Sequence, residues 1–151
     1  MARVAGPARR GSTLSLVLDG SVALSWLLPD EESPGARALL DRVVGSRAWV
    51  PALWHLEVAN ALLMAVRRGR IDAGFREASL QDLALLPIQV DPDTHRFGWS
   101  DTLQLAERHG LSVYDAAYLE LALRLSLPLA TLDKKLSSAA KTCGAAVLGA
   151  T

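Results

Sequence analysis

The sequence predicts an α/β sandwich, a parallel sheet covered by helices on both faces. Three observations predict it. Short apolar runs of strand length alternate along the chain with segments of helical length. The first of these runs, "LSLVLD" at 14–19, shows no polar partner face, as strands buried on both sides do. Finally, 151 residues of which half are apolar suffice for one globular domain with a substantial core.

Each element has its own signal. Residues 1–13, MARVAGPARRGST, are small and basic with no periodicity. They read as a flexible tail, a cloning remnant or an early start codon, leaving a single domain over 14–151. After the strand at 14–19, Ser21 opens a helix that "PDEESP" at 29–34 breaks. A helix over about 35–44 carries Arg37 and Asp41 at i,i+4. Trp49 and Val50 form a short strand, and Pro51 is placed as a first helical residue. The helix over 51–68 is apolar nearly all round and is expected to be deeply buried. A helix over 72–85, with Asp72 and Arg76 at i,i+4, leads to a strand at 88–91. Helices over about 94–108 and 113–125 flank Gly110. Short strands at 129–132 and 146–148 enclose a helix starting near Lys134.

Charge and cysteine content narrow the function classes. Lysine plus arginine and aspartate plus glutamate both number 16, but Arg3, Arg9 and Arg10 crowd the first ten residues. From Gly11 onward 13 basic side chains face 16 acidic ones, so any nucleic-acid contact must be local. The single cysteine, Cys143, rules out an intramolecular disulfide and fits a reducing compartment. Asp19 interrupts the first apolar stretch, no signal-peptide cleavage pattern follows, and no uncharged run approaches the ~18 residues of a membrane span. A cytoplasmic location with no membrane partner is expected.

Four acids stand out. In open parallel sheets ligands bind beyond the carboxyl ends of the strands. Asp19 ends the first strand and Asp133 follows a later one in "PLATLDKKL", which puts both on one rim. Glu57 in "WHLEVANALL" and Asp115 in "LSVYDAAYLELAL" occupy apolar helical settings. Ordinary explanations exist: Asp133 as a helix N-cap, Asp115 in a capping box with Ser112, Asp19 in an Asx turn. Glu57 resists one, since Leu53, Trp54, Asn60 and Ala61 surround it on its own helix and offer no cation. Asp115 also lacks a lysine or arginine within a turn, whereas Glu120 has Arg124 at i+4.

Carboxylates gathered at one rim repel each other unless a cation compensates. An oxygen-only donor set suits Mg²⁺ or Mn²⁺. His55, His95 and His109 show no zinc spacing, and one cysteine cannot build a thiolate site. Carboxylate-held Mg²⁺ most often serves phosphate chemistry.

The segments "LVLDGSVALSWLLPDE", "VPALWHLEVANALL", "LSVYDAAYLELAL" and "PLATLDKKL", in this order, resemble the PIN-domain ribonucleases, most closely the VapC toxins of bacterial toxin–antitoxin pairs. The likeness runs from about Leu14 to Leu148. It implies a PIN-like three-layer αβα sandwich on a mostly parallel five-stranded sheet, and Mg²⁺- or Mn²⁺-dependent endoribonuclease activity. Asp19, Glu57, Asp115 and Asp133 match the four catalytic acids, with Asp19 and Asp115 as direct metal ligands. Asn60 and Thr131 match groups that orient them. The resemblance also implies an RNA substrate, usually a homodimer, and a cognate antitoxin that blocks the acidic site, with Leu62 or Val66 as candidate groove residues.

Other classes fit less well. No nucleotide-binding glycine loop occurs. Ser21 stands where an aspartyl phosphatase carries its second acid, and Asp91 could be a receiver phosphoacceptor only without the paired acids at the first strand. A non-catalytic PIN-fold interaction module is the alternative function. Among basic residues, Lys134 and Lys135 sit at the rim, where Lys134 could meet phosphate, while Arg67, Arg68 and Arg70 read as helix-end surface cations. Trp26, Trp49, Trp54 and Trp99 read as core or dimer packing.

Overall fold

The computed structural model describes residues 15–149. The basic segment 1–13, and Leu14 at the head of the first expected strand, lie outside them. Five strands form one sheet, β1 (Leu16–Leu18), β2 (Ala48–Val50), β3 (Ile88–Val90), β4 (Leu129–Ala130) and β5 (Val147–Leu148), ordered β3-β2-β1-β4-β5. All four pairings are parallel; Val17 pairs Trp49 on one side and Leu129 on the other.

Successive strand residues face opposite sides of a sheet. Leu16, Val17 and Leu18 are all fully buried, as are Leu129 and Ala130, so helices cover both faces of the centre. The predicted αβα sandwich is therefore what the chain forms, with the sheet parallel throughout.

The helices are α1 (Gly20–Leu27), α2 (Pro34–Gly45), α3 (Trp54–Arg67), α4 (Ala73–Ala84), α5 (Thr94–Phe97), α6 (Asp101–His109), α7 (Val113–Leu125) and α8 (Lys134–Thr142). Pro34 is the first residue of α2, and the Ser33 hydroxyl accepts the Ala36 N–H. Gly110, at φ +66°, closes α6 in the left-handed region that a Cβ disfavours. Among the described residues no helix is long and apolar enough to cross a membrane.

Several expectations need correction. Pro51 does not begin a helix; it accepts the Trp54 N–H in a turn, and α3 starts at Trp54. Nor is α3 buried all round. Only Trp54, Val58, Leu62 and Ala65 are, one stripe at helical spacing, while Leu56 is 75% exposed. The helix expected over 94–108 is two, broken at Gly98-Trp99-Ser100, where Ser100 leaves helical geometry.

Two local ion pairs are also replaced. Arg37 pairs with Glu32 rather than Asp41, and Asp72 caps α4 by accepting the Phe75 N–H while Arg76 pairs with Glu77. Arg70 is not a free surface cation either, for it bridges Asp30 and Glu31. Trp54 is buried as expected, but Trp99 is 97% exposed and belongs to no core.

Candidate active site: an acidic rim at the switch point

Chain order runs outward from β1 through β2 to β3, then jumps back to β4 on the other flank of β1. The crevice beyond the ends of β1 and β4 is thus the topological switch point, where open α/β sheets bind ligands. Asp19 follows β1, and Thr131 and Asp133 follow β4. The ladder sets their mutual position, because the Asp19 N–H donates to the Ala130 carbonyl at 3.0 Å.

Asp19 is 6% exposed and stands at the N-cap of α1 without capping it. Its Oδ2 instead accepts the Ser21 hydroxyl at 2.7 Å and the Thr131 hydroxyl at 2.8 Å. Those hydroxyls are themselves fixed: Ser21 Oγ accepts the Leu132 N–H and Thr131 Oγ1 accepts the Asp133 N–H, each at 3.0 Å. The β4–α8 connection therefore clamps Asp19 through two hydroxyl relays. Both donors fall on Oδ2, and Oδ1 carries no hydrogen bond from the described residues. Burial raises the Asp19 pKa, the two hydroxyls pull it back, and Asp115 and Asp133 push it up again.

Glu57 lies in the first turn of α3, with its Oε1 accepting the phenol of Tyr118, a fully buried residue of α7. A Cβ on Gly20 would lie 3.8 Å from that same Oε1, which places the carboxylate beside the start of α1 and next to Asp19. Burial raises Glu57, Tyr118 lowers it, and the charges of Asp19 and Asp115 raise it. The reverse effect reaches Tyr118, whose phenol is driven far upward by burial and by Glu57, so it stays a proton donor.

Asp115 occupies the third position of α7, its N–H donating to Ser112 Oγ at 3.0 Å in the capping arrangement. Its carboxylate is raised by burial and by Asp133, while Ser112 and Lys135 lower it. Asp133 caps α8 through Oδ1, which accepts the Leu136 N–H at 2.9 Å. Capping is thus a real task of Asp133, and its charge nonetheless bears on Asp19 and Asp115. Thr131 is buried against Asp19. Asn60 is exposed and hydrogen-bonds to none of the four acids.

The contrast with the buried acids Asp91 and Glu120 is sharp. Asp91, 3% exposed, accepts both Arg124 terminal nitrogens at 2.6 and 3.2 Å, the Asp93 N–H and the Thr94 hydroxyl. Burial would raise it, yet these donors hold it below the usual carboxylate range. Glu120 accepts the remaining side-chain hydrogen bonds of Arg124, at 2.7 and 3.0 Å. Asp91 is therefore a fully bonded structural acid, which removes the phosphoacceptor reading. None of Asp19, Glu57, Asp115 and Asp133 forms an ion pair among the described residues.

Two supporting groups escaped the sequence reading. Ser21 sits two residues after Asp19, the spacing at which a hydroxyl can reach back to a carboxylate. Tyr118 was visible only as a neighbour of Asp115, and nothing local joins it to a residue 61 positions away.

An oxygen-only donor set with three carboxylates raised by burial and mutual repulsion fits a hard divalent cation in kind. In the arrangement shown, no three or more His, Cys, Asp or Glu side chains among the described residues stand close enough to hold an ion. The hydroxyls of Ser21 and Thr131 donate to Asp19 and hold its orientation.

A parallel αβα sandwich with unpaired acids at its switch point defines a class of open-sheet proteins with a carboxylate-lined site. Comparison makes the family specific. The PIN domain model matches residues 16–142, and the chain belongs to the PIN-domain family. It is similar to Ribonuclease VapC3 of Pyrobaculum aerophilum, at 30% identity over 124 residues, 82% of this chain and 93% of the relative. It is similar also to Ribonuclease VapC9 of Mycobacterium tuberculosis, at 34% identity over 124 residues, 81% and 88% of the two chains. The crystal structure of PAE2754 from Pyrobaculum aerophilum superposes with a TM-score of 0.65 at 25% identity, covering 91% of this chain and 87% of that one. FitAcB from Neisseria gonorrhoeae shares the fold, with a TM-score of 0.63 at 19% identity over 89% of this chain and 97% of that one.

Proposed function

We propose that this chain is a VapC-type toxin, an endoribonuclease that hydrolyses RNA phosphodiesters with a divalent cation at the Asp19–Glu57–Asp115–Asp133 rim. One observation carries the reading. The fold pairs the buried acids Asp91 and Glu120 with Arg124, whereas buried Asp19, half-buried Glu57 and Asp115, and exposed Asp133 form no ion pair among the described residues. An unpaired buried carboxylate such as Asp19, with two further half-buried acids beside it, costs stability and persists where a function requires it. Relatives at 30–34% identity over most of the chain carry the name ribonuclease.

PIN-domain ribonucleases are generally divalent-metal dependent. In this chain Asp19 and Asp115 would hold Mg²⁺ or Mn²⁺, with Glu57 and Asp133 completing the set. The bound ion supplies an activated water and neutralises charge on the phosphate. The protein's own part is orientation. Ser21 and Thr131 fix one oxygen of Asp19 and leave Oδ1 for the ligand, and Tyr118 does the same for Glu57.

Partners follow from the same reading. A cognate antitoxin would cover the acidic rim with an arginine or lysine, and the toxin would act as a homodimer. Of the groove residues expected from sequence, Leu62 is fully buried and cannot contribute; Val66 is half-buried, and Leu56 on α3 is the exposed apolar residue beside Glu57. The test is growth and RNA integrity in cells expressing this chain alone and together with its adjacent open reading frame. Growth arrest with fragmented RNA, relieved by the neighbour, supports the reading. A chain that is harmless alone and leaves RNA intact contradicts it.

A further inference from the structure

An acidic rim is a poor landing site for a polyanion, so the chain must offer a cation close by. Five arginines are committed elsewhere: Arg37, Arg70, Arg76, Arg96 and Arg124 all form ion pairs. Beside the rim stand Lys134 and Lys135, the first two residues of α8, directly after the cap Asp133. Neither forms an ion pair among the described residues.

They are not equivalent. A Cβ built on Gly110 would lie 3.7 Å from Lys135 Nζ and 3.8 Å from its Cε. The lysine arm is therefore laid over the turn between α6 and α7, two residues before the Ser112 cap that positions Asp115. Its charge reaches Asp115 and lowers that carboxylate against the effect of burial, whereas Lys134 is not among the charges that shift Asp19, Glu57 or Asp115. The carbonyl end of α6 also favours a cation there.

We propose that Lys135, rather than Lys134, contacts a backbone phosphate of the RNA next to the scissile bond and positions the strand over Asp115. The proposal rests on the ribonuclease reading. Phosphate contacts fix register without reading sequence, so Lys135 acts on substrate binding in general and not on cleavage-site choice.

The experiment measures steady-state cleavage of a fluorescein-labelled single-stranded RNA in Mg²⁺ and in Mn²⁺ across a KCl series. It compares wild type, Lys135→Ala, Lys135→Arg and Lys141→Ala, with thermal midpoints recorded for each. Lys141 lies two turns further along α8 and is exposed. In Lys135→Ala, KM should rise roughly three- to tenfold at 50 mM KCl, and the slope of log KM against log salt should fall by about 0.7, one phosphate's worth for a single strand. kcat and the melting midpoint should stay close to wild type, Lys135→Arg should recover most of KM, and Lys141→Ala should leave the slope unchanged. An unchanged slope in Lys135→Ala, or an equal change in Lys141→Ala, overturns the proposal. So does a loss in Lys135→Ala that tracks a lowered melting midpoint and is not recovered by arginine. A wild type that cleaves no RNA with either metal defeats the ribonuclease reading itself, a result distinct from these.

Discussion

Replacing Thr131 by valine keeps the shape and removes one oxygen. That oxygen donates to Asp19 Oδ2 at 2.8 Å and accepts the Asp133 N–H at 3.0 Å, in a residue with no exposure. A hydrogen bond to a charged acceptor contributes about 1.5–3 kcal/mol net. Asp133 lies at the surface, where water can serve its N–H, so most of the cost falls on Asp19. The loss should be about 2–3 kcal/mol, or roughly 4–12 °C for a chain of this size. Thr131→Ser keeps the hydroxyl and loses a methyl, about 1 kcal/mol or ~2–4 °C. The assay is thermal unfolding at pH 7 in EDTA, repeated in an Asp19→Asn background. There the acceptor is neutral, and the valine penalty should shrink to about 1 kcal/mol. Should Thr131→Val melt at or above Thr131→Ser in the wild-type background, the Thr131–Asp19 bond does not hold the carboxylate as described.

Three further outcomes are expected. Mg²⁺ or Mn²⁺ at about a hundred times its dissociation constant should add ~2.7 kcal/mol, a melting shift of roughly 5–11 °C, which Asp19→Asn and Asp115→Asn should abolish. Arg124→Leu leaves Asp91 and Glu120 buried and unpaired and should cost about 3–5 kcal/mol, read by urea unfolding. The acid response should have two arms of opposite sign in metal-free protein. Asp19, Glu57 and Asp115 are raised, so their stabilising protonated forms are lost as pH climbs from the ordinary carboxylate range through their folded values. Asp91 is lowered, so its contribution is present above that range and lost as pH falls through its folded value. Stability measured against pH should lose the first arm mainly in Asp19→Asn and the second in Asp91→Asn.

How much of this was legible in the chain depends on the range of the forces involved. The caps at Ser112 and Asp133 rest on neighbours within four residues, and β1 on a local apolar run that marks a strand whatever it pairs with, so all were readable. The i,i+4 pairs Arg37/Asp41 and Asp72/Arg76 were not formed, because such pairs contribute only about 0.2–0.5 kcal/mol. A cap on α4 and a competing acid before α2, Glu32, displace them. Gly98 before Trp99 and Ser100 weakens helical propensity where the sequence pattern ran on, and the chain breaks there. The four rim acids were visible as charges lacking local partners. Their long-range donors were not: Thr131 reaches Asp19 across 112 positions and Tyr118 reaches Glu57 across 61, distances over which composition carries no signal. The apolar content of α3 suggested full burial, but periodicity alone cannot tell a core face from one awaiting a partner, and Leu56 faces outward.

The central claim is that the unpaired rim acids form one metal-dependent hydrolytic site. The most direct measurement is kcat/KM for RNA cleavage in Mg²⁺ or Mn²⁺ by wild type and Asp19→Asn, alongside their melting midpoints in EDTA. Asp19→Asn should lose at least about a hundredfold in activity and melt no lower than wild type, since it sheds a buried charge that burial and its acidic neighbours disfavour. Cleavage by Asp19→Asn within tenfold of wild type, still abolished by EDTA, would place the chemistry somewhere other than this rim.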